Sequence, residues 1–198
     1  MAAVLVLSGW GIGKARAEDL EATSDPYKQG QGNVSLGLLK GRVRGCPTNV
    51  NPNCVSTSSL STSYQTPWKA PEGMSMKEAC ELIKDTLLGK GAVLREYGEV
   101  SETDPELGTY LRFDLEGNFG REKPDHVEFL VRKTDPVNWE GESSGLSVFF
   151  RSIAGGVRYI YPIQQPITDF SKQRKRMEGI RNDLGWRLSG CELIECYE

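Results

Sequence analysis

Between residues 92 and 163 the chain repeats a strand signal five times, as "AVLREYGEV", "GTYLRFDLE", "HVEFLVRK", "GLSVFFRSI" and "VRYIYPI". Leu111, Phe113 and Leu115 alternate with Arg112 and Asp114, and Val127, Phe129 and Val131 alternate in the next segment. A period of two places one set of side chains on a buried face and the other on a wet one, which is antiparallel behaviour. Helical signals bracket the series. In "SMKEACELIKDTLLGKG", Ser75 and Glu78 form a capping box, Met76, Ala79, Cys80, Ile83 and Leu87 recur at helical spacing, and Gly89 supplies the stop. A second helix spans roughly 169–184, with Phe170, Met177, Ile180 and Leu184 on one side and Gly185 at its end. The order predicts an α+β domain: an antiparallel sheet of four to five strands, with two helices packed on one face.

The 198 residues, 38% hydrophobic and 26% charged, suit one ordinary core. Residues 45–198 are expected to form that single domain, preceded by an extended arm at 18–44 with neither helical nor strand periodicity. A net charge of −3 provides no global basic field, so nucleic acid is not expected as a partner. The segment 1–17 carries an apolar run and closes with Ala15-Arg16-Ala17, a small-x-small site that reads as an export signal cut before Glu18.

Export gives the five cysteines a meaning, because disulfides persist outside the reducing cytosol. Cys46 with Cys54 and Cys191 with Cys196 are the close pairs, and Cys80 is left as a free thiol on a helix face. "GCPTNVNPNCVSTSS" is read as neither helix nor strand, so its cysteines predict a stapled, proline-stiffened lid with Trp68 as an apolar pin. No metal is expected, since neither pair is C-x-x-C and the one histidine, His126, has no second ligand nearby. No cofactor motif and no nucleophile elbow is found after residue 17, and no catalytic residues are assigned. His126 and Glu128 share a strand face that reads as a solvated sheet surface, and Trp139, Tyr159 and Tyr161 read as core or rim.

The run "SKQRKRMEGIR" concentrates Lys172, Arg174, Lys175, Arg176 and Arg181 in an acidic chain. It reads either as a solvated helix face or, in its residues Lys172, Arg174, Lys175 and Arg176, as a docking face for an acidic partner.

The blocks "CPTNVNPNCVST", "DHVEF", "FRSIA" and "DFSKQRKRMEGIR" stand in the order seen in the family catalogued as domain of unknown function 1499, and residues 45–184 resemble it. That family occurs in bacteria and in chloroplast proteins. With the export signal, the resemblance implies the chloroplast thylakoid lumen, with the bacterial periplasm as the alternative. It implies no reaction. Two functions follow as expectations. One is a non-catalytic accessory or assembly protein, peripheral to the membrane, that binds a photosystem-type complex by protein–protein contacts. The other is a ligand-binding or enzymatic domain with an anion pocket between lid and sheet, contacted by Arg151, Ser152 and Arg174.

Overall fold

The computed structural model describes residues 34–101, 107–117, 123–134, 145–160, 162–163 and 165–189. The export signal, most of the arm, Trp139, Tyr161 and the Cys191/Cys196 pair lie outside them. The described chain opens with a strap in which β1 (Leu38–Leu39) and β2 (Arg42–Val43) pair as a minimal hairpin. Then follow β3 (Cys54–Ser56), β4 (Trp68–Lys69), α1 (Met76–Gly89), β5 (Val93–Glu99), β6 (Thr109–Leu115), β7 (Asp125–Lys133) and β8 (Leu146–Ile153). The described chain closes with β9 (Tyr159–Ile160), β10 (Gln165–Pro166), α2 (Lys172–Leu184) and β11 (Arg187–Leu188).

The α+β class stands, but the sheet is larger than the sequence suggested. It has seven strands in the order β11-β4-β8-β7-β6-β5, with β3 also pairing β8. The extra strands come from stretches too short to show a period. Cys54–Ser56 pairs with Arg151–Ile153, and Trp68–Lys69 pairs with Ser147–Val148, so the segment read as an irregular lid contributes two strands to the edge of β8. The segment "VRYIYPI" does not join this sheet: Tyr159–Ile160 pairs apart from it with Gln165–Pro166.

Leu111, Phe113, Val127, Phe129, Val131, Val148 and Phe150 form the face covered by both helices. α1 lies over β5 to β7 and α2 over β3 and β8. Ala79, Cys80, Ile83 and Leu87 enter the core from α1, and Met177 and Ile180 from α2. Trp68 does pin the edge, with its ring centroid 4.6 Å from Phe150, 5.9 Å from Phe129 and 6.5 Å from Trp186. The Ser75 hydroxyl accepts the Glu78 N–H, as the capping box required. The helix stop shifts by two residues: Gly89 is still helical, and Gly91, at φ +79°, takes the left-handed turn. Gly155 is needed for a different reason, since a Cβ there would stand 1.9 Å from the Pro124 carbonyl oxygen.

Cys80 is free and fully buried. Burial pushes its thiol up to about 11 against an ordinary 9.0, with a Thr109 hydrogen bond opposing the shift and Glu81 adding to it. The fold keeps this proton where the unfolded chain has lost it. Its contribution to stability is therefore complete below about pH 9 and lost as the pH rises through the folded value. Iodoacetamide at neutral pH is expected to leave Cys80 unlabelled in the folded protein and to label it after denaturation; rapid native labelling would contradict this burial.

Candidate functional site

Two buried polar networks lie on opposite faces of β7 and β8. On the helix side, the Ser152 hydroxyl donates to Gln173 Oε1 at 2.6 Å, and Gln173 Nε2 donates to Asp125 Oδ2 at 3.0 Å. Arg176 closes the ring with 2.7 Å bonds to both Gln173 Oε1 and Asp125 Oδ2. On the other side, Arg151 pairs with Glu128 at 2.6 Å, and both side chains are almost wholly buried. Glu128 also accepts the Tyr110 hydroxyl at 2.5 Å and the Gly37 N–H at 2.6 Å, while Arg151 Nη2 donates to the Ser35 carbonyl at 2.7 Å. Burial and the Glu128 charge push the Tyr110 phenol well above its usual range, so it stays protonated and donates.

This overturns the reading of Glu128 as part of a solvated face. It does lie on the non-helical face, but the strap covers that face and ties itself to the carboxylate. His126, two residues earlier, is partly exposed and lies 2.7 Å from Asp114, which Arg95 also holds at 2.7 Å. Burial opposes ionisation of Asp114, but those two partners outweigh it and hold the carboxyl below its ordinary range.

The proposed anion contacts do not converge. Arg151 and Ser152 are successive strand residues and point to opposite faces, each already satisfied, while Arg174 donates to the Thr62 and Tyr64 carbonyls at 2.7 and 3.1 Å. The basic run divides in the same way. Arg176 and Arg174 are structural, Lys172 is half-buried, and Lys175 projects into solvent. Phe170, assigned to the apolar side of α2, instead precedes the helix and is 81% exposed. Its φ is +53° and that of Ser171 is +64°.

The cysteine-bracketed loop is held from within. Cys46 and Cys54 form a disulfide, and the side chains of Asn51 and Asn53 are buried. Asn51 Nδ2 donates to the Ala154 carbonyl, Asn53 Nδ2 to that of Ile167, and Asn53 Oδ1 accepts the Asp169 N–H at 2.7 Å. The loop thus joins the end of β8 to the approach of α2, with amide side chains standing in for a ladder.

Sequence reasoning missed a cleft of about 470 Å³ between the strap and the outer face of β7 and β8. Arg42, Arg44 and Arg132 line it, above Leu39, Leu130 and Phe149. The available signal was the alternation Arg42-Val43-Arg44, a period of two in a segment read as arm.

The chain is 29% identical over 163 residues to the thylakoid lumenal 17.9 kDa protein, chloroplastic, of Arabidopsis thaliana, a match covering 82% of this chain. The likeness places the chain in the chloroplast thylakoid lumen. The match spans 64% of that relative's length. No family model and no solved structure matches the chain, so the resemblance to the domain-of-unknown-function family stands on the quoted blocks.

Proposed function

We propose that this lumenal chain is an accessory protein that docks on a photosystem-type membrane complex through protein–protein contacts at the start of α2. The observation that carries the reading is Phe170. Two successive non-glycine residues, Phe170 and Ser171, hold left-handed backbone, and the first presents an aromatic ring that is 81% exposed. Such conformations cost on the order of 1–3 kcal/mol each and cluster where the backbone serves recognition. A protruding aromatic beside a cationic rim is the composition of an interface anchor. Lys175 supplies the rim charge, and a partner with an apolar socket edged by carboxylates would complement it.

Phe170→Gly separates docking from folding. Glycine relieves the strain, so the melting temperature should hold or rise, while retention on washed thylakoid membranes should fall by about tenfold or more, as for an interface hot spot. Lys175→Glu should weaken retention further at low salt and make it less salt-sensitive. A protein carrying both changes that stays bound at every salt concentration would refute docking at this end of α2. Reversing the whole basic run would not test it, because Arg174 and Arg176 hold the fold.

A further inference from the structure

We propose that the cleft under the strap binds a small amphipathic anion: a phosphate, sulfonate or carboxylate head received by Arg42, Arg44 and Arg132, on an apolar body lying along Leu39, Leu130 and Phe149. Three observations support it. The volume of about 470 Å³ falls within the roughly 300–1,000 Å³ of small-ligand sites. The three guanidinium groups make no hydrogen bond or ion pair among the described residues. Arg95, Arg112, Arg151 and Arg176, by contrast, are each paired with a carboxylate. Three unneutralised like charges around one cleft repel one another, which an anion would reverse, and the planar guanidinium fork matches such heads in bidentate fashion.

The third observation is at Arg44, whose Nε is buried without a hydrogen-bond partner. A donor removed from water and left unmatched is costly, so an acceptor supplied from the cleft would remove a standing penalty. The apolar side of the cleft distinguishes this site from a plain phosphate cradle. Leu39 on the strap is 53% exposed and Phe149 of β8 is only partly buried, so an alkyl chain lying along them over the floor at Leu130 would cover apolar surface that the fold leaves open.

Calorimetric titration of the full chain with octyl phosphate, inorganic phosphate and octanol tests the assignment. Octyl phosphate is expected to bind about tenfold or more tightly than either half-probe. Arg44→Gln combined with Arg132→Gln should lose about tenfold or more for octyl phosphate with little change in melting temperature, since neither side chain is paired in the fold. Leu39→Ser should weaken octyl phosphate and spare inorganic phosphate, and Lys175→Glu should change neither, which separates this site from the docking surface. Co-sedimentation with anionic but not neutral phospholipid vesicles, lost in the double-arginine variant, would identify the head as a lipid's. Octyl phosphate binding without vesicle binding would identify a free amphiphile. The proposal is overturned if octyl phosphate binds no better than inorganic phosphate, if the double variant binds it like the parent, or if an acidic peptide binds the cleft more tightly.

Discussion

Replacing Arg151 with alanine is expected to destabilise the fold by about 3–5 kcal/mol, the range for breaking a buried ion pair from one side. For a chain of this size, that corresponds to a melting temperature lower by roughly 10 °C or more. The reason is Glu128, which is fully buried on β7 directly across from Arg151 on β8. Without the guanidinium, its carboxylate keeps the Tyr110 hydroxyl and the Gly37 N–H but faces the interior with its charge uncompensated, and the Ser35 carbonyl loses its donor. Arg151→Lys should recover only part of the loss, because an ammonium cannot reproduce the fork that reaches both Glu128 and Ser35. Urea unfolding of the two variants measures this. An Arg151→Ala protein within about 1 kcal/mol of the parent would mean that Glu128 becomes protonated at little cost.

The alternation of Leu111, Phe113, Val127 and Phe129 was legible because burial on one face leaves a period of two in the sequence, and the helix faces were legible by the same logic at a period of 3.6. What covers the second face was not. The strap is two two-residue strands, so its Arg42-Val43-Arg44 alternation is too brief to mark a strand by itself, and it ties to Glu128 and Arg151 through backbone atoms of Gly37 and Ser35, contacts that residue type does not announce. Parity alone therefore placed Glu128 on the polar face correctly and inferred solvent wrongly. The register that sets Glu128 opposite Arg151 would have suggested the pair, but it depends on the connection between β7 and β8.

The docking and cleft residues were legible to different degrees. The basic run on α2 announced itself by composition, yet composition could not tell that Arg176 turns toward Asp125 on β7, 51 residues earlier, or that Arg174 turns to the loop carbonyls at Thr62 and Tyr64. Phe170 looked like the first apolar residue of a helix, and only the left-handed backbone at 170–171 turns it outward. The three arginines of the cleft come from β7 and the strap, about 90 residues apart, and no local pattern joins them.

Cys46→Ala with Cys54→Ala should cost about 2.5 kcal/mol, the chain-entropy value for a nine-residue loop, and lower the melting temperature by roughly 5–10 °C. A reductant acting on the parent should do the same. The bond matters beyond its loop because it fixes the point where the strap leaves the sheet. Ser56 donates to the Arg44 carbonyl at 2.9 Å and Cys46 N–H to Ser59 Oγ at 2.7 Å, so the strap is fastened here at one end and at Glu128 and Arg151 near the other. If the strap moves as a unit, releasing either end gives up part of what the other secures. Combining the double alanine variant with Arg151→Ala should then cost less than the sum of the separate losses, by about 0.5 kcal/mol or more. The disulfide variant should also bind octyl phosphate less well, although it removes no cleft residue. Strict additivity in the cycle, with cleft binding intact, would mean that the buried Asn51 and Asn53 amides hold the strap's exit and that the disulfide acts only on its own loop.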